Sequence, residues 1–381
     1  MSDVIYLDAQ GTERPRPEAV EMIHRCLTTD FGNPSATAHR TGQRSLSILE
    51  SARATVASVL NASADGIVFC SGATEANNTA LRSFVRDGTK LIASAIEHKS
   101  VLEPGVLIAS SSDTIKFETC TVGEGGTVDL DDLAGRLGDG PALVSVMHAN
   151  NEVGTIQPIA EIAALCRARG ALLHVDAAQT VGKLPVDFTG LGVDMMTISG
   201  HKFGGPVGSG ALIMRPDLID HLDPLIVGGG QESGLRGGTV PVAMIAGMAA
   251  GLEAAHRDQM SDHSRIQRLR DILVDGLSDL PGFFINGDHD ARLTCNFSGG
   301  FLGIDAALIM RSIPDVHFSA GSACTTGTAA SHVLTAMGVS RDHQKSTMRI
   351  SLSWMTTEDN IMALIEKLRR CVAARERRLV A

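Results

Sequence analysis

The stretch from Val193 to Leu212 reads VDMMTISGHKFGGPVGSGAL. An apolar run ends at Ser199, and His201 and Lys202 follow almost at once. Glycines stand at 200, 204, 205, 208 and 210. The run reads as a buried strand. The glycines read as a loop where backbone comes close to a neighbour. The plain reading of Lys202 is a solvated turn lysine. The chemical reading is an amine held at a strand end as a reagent, its nucleophilicity raised by desolvation.

Outward from this stretch, the first half of the chain alternates short apolar runs with helical periodicity. GIVFCSG (66–72), KLIASAIEH (90–98), ALVSVMHAN (142–150) and ALLHVDAAQ (171–179) read as strands. RSLSILESARATVASVL (44–60), ATEANNTALRSFV (73–85) and IAEIAALCRARG (159–170) read as helices. This alternation predicts an α/β fold with a largely parallel sheet covered on both faces. From about residue 251 the pattern changes to a long helical stretch, the short strands FFING, RLTCNFSG and TMRISLS, and a closing helix. Residues 15–250 are therefore expected to form a large α/β domain. Residues 251–381, with 1–14, are expected to form a smaller α+β domain.

Composition excludes several classes. The 381 residues are 44% hydrophobic and 20% charged, an ordinary globular balance, and the formal charge is −10. That charge argues against a nucleic-acid surface and against an anionic membrane. MSDVIYLDAQ lacks the basic and apolar regions of a signal peptide, and VPVAMIAGMAAGLEAA is too short for a membrane span. The expected location is the cytoplasm. Seven cysteines at wide spacing, with no C-x-x-C pair, suggest neither a disulfide framework nor a metal site.

The informative polar residues fall where strands end, which is where open parallel sheets bind ligands. FCSGATEANN offers a strand, Ser71-Gly72-Ala73-Thr74 and a helix start, hence either a simple N-cap or a phosphate cradle. Asp176 closes an apolar strand; it is a structural cap or a partner for a protonated ring nitrogen. His98 is a packed histidine or a group that stacks on a flat cofactor and moves protons. Lys202 adds an amine able to bond a cofactor aldehyde. Each plain reading wins in isolation. Together the four groups meet the separate needs of pyridoxal phosphate. Arg349, in MRISLSW, is a surface strand arginine or a fork for a carboxylate. Cys324, in FSAGSACTTGTAASHV, lies in a run of small and polar residues without helix or strand pattern, an unusual setting for a free cysteine.

The ordered motifs GNPSATAHRTG, SGATEANN, EHKSVL, HANNEVGTIQP, HVDAAQTVGKLPVD, SGHKFGGPVGSGAL, GGGQESGLRGGT and GSACTTG followed by SHVLTAMG resemble the cysteine desulfurases. That family lies within the class V aminotransferase-like group of fold-type I pyridoxal-phosphate enzymes, and the resemblance covers nearly the whole chain. It implies a mostly parallel seven-stranded-type sheet and a homodimer. It implies that Lys202 carries pyridoxal 5'-phosphate and shuttles the substrate α-proton. Asp176 would pair with the ring nitrogen, Gln179 with the ring oxygen, and His98 would stack on the ring. Ala73, Thr74, Ser199 and His201 would bind the phosphate, with Thr239 doing so from the neighbouring subunit. Asn151, at the cofactor, and Arg349 would hold the carboxylate of L-cysteine, and Cys324 would accept its sulfur. The implied partner is a sulfur-acceptor protein of iron–sulfur cluster assembly or tRNA thiolation. The competing readings are a selenocysteine lyase or other β-eliminating enzyme, which needs no thiol acceptor, and a non-catalytic scaffold.

The sequence departs from the family pattern in places. QGTERP stands where a small Ala-Thr-Thr-Pro-like stretch is usual, Ser233 stands for arginine, Gly238 for serine, and Ser353-Trp354 for a Gly-Arg-like pair. These departures leave the core chemistry in place and bear on the substrate entrance, the partner surface and the rate. The closing helix carries an apolar stripe and a cationic end, the pattern of a packed helix or of a dock for an acidic partner.

Overall fold

The computed structural model describes residues 4–138, 140–320 and 330–380. Its largest sheet has seven strands in the spatial order Ile67–Cys70, Gly210–Met214, Met195–Ser199, Leu172–Asp176, Ala142–Met147, Lys90–Ser94 and Lys116–Cys120. The last five of these run parallel to one another, and Gly210–Met214 runs antiparallel to both its neighbours. Every residue of Ile67–Cys70, Ala142–Met147, Met195–Ser199 and Gly210–Met214 is buried. Sheets covered on both faces read as continuous apolar runs for this reason.

The stretch 193–212 is thus two adjacent antiparallel strands, paired as far as Ser199 opposite Gly210. The Gly200 N–H bonds the Ser209 carbonyl at 2.9 Å and closes the loop that carries Lys202. A Cβ on Gly210 would lie 2.6 Å from the Gly72 Cα, so this glycine lets the loop at 71–74 come down onto the strand. Gly210–Met214 and the edge strand Lys116–Cys120 were not expected. The first hides in a glycine-rich segment; the second is partly exposed, with no buried run to mark it.

The helix Val242–Asp275 begins before the expected boundary at residue 250 and runs through it without interruption. The helices Pro17–Thr28 and Arg40–Leu60 pack along it. Beyond it, Ser319–Ala320, Thr347–Ser351, Asn296–Phe301 and Phe283–Ile285 form an antiparallel sheet in that order. The amino-terminal segment joins this region: Ile5–Tyr6 pairs in parallel with Val316–His317, and Asp8 bridges to Ser351. Residues 8–12 therefore lie between the two sheets.

The loop before the long helix is tied to the large sheet. Glu232 has φ of 46° and Ser233 of 57°, a left-handed pair without glycine. Glu232 holds the fork of Arg53 at 2.7 and 3.1 Å and accepts the Phe69 N–H at 2.9 Å. Its side chain is 3% exposed and that of Arg53 is 13% exposed. Glu232→Ala would take the buried carboxylate from a part-buried guanidinium, which keeps the Ile67 carbonyl and Glu50, and would leave a strand N–H without its acceptor. It should lower the unfolding free energy by about 3 kcal/mol, measurable by urea unfolding of the variant. Wild-type stability would show that the pair is dispensable.

Candidate active site

A cavity of about 560 Å³ opens at the carboxyl ends of the parallel strands, between the two sheets. Ten of the twelve site residues named above line it: Ala73, Thr74, His98, Asn151, Asp176, Gln179, Ser199, His201, Lys202 and Arg349. Thr239 is exposed and outside the lining of this single chain. Cys324 lies outside the described residues.

Asp176 ends its strand opposite Met147 and Thr197 on the flanking strands. It is 6% exposed, and a buried carboxylate requires hydrogen bonds. The Ala178 N–H donates to Oδ1 at 3.0 Å and the Asn77 amide to Oδ2 at 2.8 Å. Asn77 also donates to Ser100 Oγ at 2.8 Å, and that hydroxyl lies 2.8 Å from His98 Nδ1. His98 is the N-cap of the helix Lys99–Ala109, with Nδ1 accepting the Ser100 N–H at 3.1 Å. Two donors on Nδ1 leave the proton of the neutral ring on Nε2. Burial, opposed by Asp176, holds the His98 pKa below its ordinary value. Asn77 was not singled out in the sequence, although it lies three residues after Thr74, on the same face of the helix Ala73–Phe84.

Lys202 Nζ donates to the carbonyls of Gln10 at 2.6 Å and Gly11 at 2.7 Å. His201 Nδ1 lies 3.1 Å from Thr12 Oγ1, and burial, then Lys202 and Lys183, push its pKa down to about 4. Arg349 is 2% exposed. It donates through Nη1 to the Asn151 carbonyl at 3.0 Å and through Nη2 to Asp8 at 2.7 Å and Ser319 at 3.3 Å. Its Nε is buried without a partner among the described residues. Part of the expected fork is thus already engaged by protein groups.

The residues present fit pyridoxal phosphate. The helix Ala73–Phe84 begins at Gly72, whose φ of 150° brings the backbone beside Ser199, and a helix start of this kind suits a phosphate. Gln179 gives its amide N–H to the Gln10 carbonyl at 3.1 Å, and among the described residues its buried Oε1 has no partner, which leaves it open to a bound ring hydroxyl. Asp176 keeps further acceptor capacity beyond its two bonds.

The departures around residues 10–14 and 353–354 divide into two groups. Gln10, Gly11 and Thr12 line the cavity. Glu13 turns away into a small separate space with Lys183, Arg16 and Trp354, where Arg16 sits over the indole at 5.3 Å. Glu13 and Trp354 therefore lie outside the lining of the cavity. Burial pushes the thiols of Cys70, Cys120 and Cys166 up to about 12, the direction of inert cysteines.

The chain belongs to the aminotransferase class-V family, whose sequence pattern matches residues 5–364. Its place within that family is among the cysteine desulfurases. The cysteine desulfurase IscS of Aeromonas salmonicida is 38% identical over 372 residues, 96% of this chain and 92% of that protein. The solved structure of a NifS-like protein superposes with a TM-score of 0.90 at 33% identity, covering 97% of this chain and 99% of that one. The solved structure of SspA in complex with cysteine superposes with a TM-score of 0.80 at 31% identity, covering 91% and 98%. Among the described residues, no helix is long and apolar enough to cross a membrane.

A buried histidine next to the strand end of Met147 gives stability a pH signature. His148, beside Thr180 at 3.1 Å, is pushed down to about 4 by burial. The unfolded ring takes its proton near 6.5, so stability present above that pH is lost as pH falls toward 4. His148→Asn should therefore reduce the slope of unfolding free energy in that window by about 1.4 kcal/mol per pH unit. Parallel stability curves for variant and wild type would contradict this.

Proposed function

We propose that this enzyme converts L-cysteine to L-alanine and leaves the sulfur as a persulfide on Cys324. The step balances: the substrate C–S bond breaks, its carbon gains a proton and an electron pair, and the accepting thiol is oxidised to S–SH. The observation that carries this reading is the convergence of Lys202, Asp176, His98, Gln179 and Arg349 on one cavity. The support for cysteine is the set of cysteine desulfurase relatives and the SspA structure that holds cysteine.

Pyridoxal phosphate, when bound, supplies the electron sink that weakens the bonds of the substrate's α- and β-carbons. Lys202 would hold it covalently and, once released, move the proton at the substrate Cα. Asp176, oriented by Ala178 and Asn77, would accept the hydrogen of the ring nitrogen. His98 would stack on the ring with its proton on Nε2. Gln179 would meet the ring oxygen. Ala73, Thr74, Ser199 and His201 would hold the phosphate, with Thr239 contributed by a second copy in a homodimer. Asn151 and Arg349 would bind the substrate carboxylate. Cys324 must work as the thiolate, since the neutral thiol is a poor nucleophile.

The setting of the reaction follows from the same reading. The cytoplasm is its place, and its sulfur passes to an acceptor protein of iron–sulfur cluster assembly or tRNA thiolation. The chain divides into 15–250 and 251–381 with 1–14, and the helix Val242–Asp275 bridges the two.

The test is alanine formation from L-cysteine by the cofactor-loaded enzyme. Lys202→Ala should abolish it, and borohydride fixation followed by peptide mapping should find the cofactor on Lys202. Fixation on Lys183 or Lys99, or full activity of Lys202→Ala, would overturn the assignment. Arg349→Ala should lower kcat/KM by roughly 30- to 1000-fold, the effect of losing a charge-assisted contact to a carboxylate. A near-normal kcat/KM would make Arg349 purely structural.

A further inference from the structure

We propose that Gln10 is a substrate-binding residue of this enzyme, its side-chain amide donating to the α-carboxylate of the amino acid beside Arg349. The inference rests on the amino-acid chemistry proposed above and adds a residue from the segment in which this chain departs from its family.

Gln10 is 1% exposed and lines the cavity. Its backbone is fixed at both ends. The N–H donates to Ser351 Oγ at 3.0 Å, and the carbonyl accepts from Lys202 at 2.6 Å and from Gln179 at 3.1 Å. Its side chain is oriented by a directed chain of hydrogen bonds. Arg292 has only N–H groups to give, and Nη1 faces Asn296 Oδ1 at 3.4 Å. Asn296 must then turn its NH₂ the other way, donating to the Glu152 carbonyl at 3.2 Å and to Gln10 Oε1 at 2.7 Å. Reversing the Gln10 amide would set two NH₂ groups face to face. Its Nε2 is therefore a donor, and it is buried without a partner among the described residues.

Buried donors in native proteins are almost always satisfied, so an unsatisfied one on a residue that lines the cavity points to an acceptor that arrives with the ligand. The neighbourhood specifies that acceptor. Arg349 lies two residues before Ser351 on one strand, so the two share a face, and Arg349 Nε is a second buried donor without a partner. Two such donors on residues that line one cavity suit a group with several lone pairs and negative charge. A carboxylate offers about four acceptor positions. A ring hydroxyl suits the open acceptor of Gln179 instead, and has the wrong polarity for Gln10.

The experiment compares L-alanine with ethylamine, the same amine without its carboxylate, binding to the holoenzyme as followed by visible absorbance. Gln10→Ala and the similarly sized Gln10→Met should each weaken L-alanine by about tenfold, the value of one hydrogen bond, and leave ethylamine unchanged. KM for L-cysteine should rise by a similar factor while kcat holds within about twofold. A merely structural role would move both ligands together. Equal weakening of the two, or no weakening, would overturn the proposal. So would weaker L-cysteine binding with unchanged L-alanine, which would place Gln10 at the sulfur. If the wild type makes no alanine from L-cysteine, the desulfurase reading itself fails. If it does and both variants match it, this inference alone fails.

Discussion

The buried carboxylate of Asp176 is the constraint around which the site is arranged. A carboxylate at this depth is stable only with donors in place, and the Ala178 N–H and the Asn77 amide provide them. Those donors belong to different elements, so strand register and helix placement are fixed together. Asp176 must lie opposite Met147 and Thr197. A slip of one residue would turn it to the other face. Asn77 then extends the same network through Ser100 to His98, and one buried acid sets the orientation of a histidine on another strand end.

The second structural requirement is the joint between the two sheets. Residues 8–12 run along it and touch both sides. Asp8 holds Arg349 on the smaller sheet, and the Gln10 and Gly11 carbonyls receive Lys202 from the larger one. Asn296, from the smaller sheet, meets Gln10. The far side of the cavity is pinned as well: Ser331 donates to Glu152 at 2.6 Å, and His332 donates to the Glu97 carbonyl at 2.8 Å. The residues that follow 321–329 are thus tied to groups next to Asn151 and His98. Relative movement of the sheets would disturb amine, carboxylate fork and histidine at once.

Much of this was legible in the sequence, for identifiable reasons. Strands buried on both faces leave unbroken apolar runs, and chemistry at their ends follows from the topology of parallel sheets. Ala142–Met147 and Leu172–Asp176 were visible in this way. Gly210–Met214 was not, because its glycines serve close approach to Gly72 and resemble loop residues. Asn77 and Gln10 were hidden because their importance depends on partners 99 and 286 positions away. The inward turn of Glu13 was hidden for the same reason: its neighbours Lys183 and Trp354 come together only in the fold. The role expected of Thr239 depends on a second chain, and a single cavity does not include it.

The central claim is that sulfur leaves the substrate for one defined thiol. The direct measurement is tandem mass spectrometry of the holoenzyme after a brief, anaerobic pulse of ³⁴S-labelled L-cysteine, with alanine counted in the same sample. The account predicts the heavy sulfur on the peptide containing Cys324, matched by alanine in the first turnover. Heavy sulfur on Cys70, Cys295 or another cysteine, or free labelled sulfide released while Cys324 stays unmodified, would contradict it.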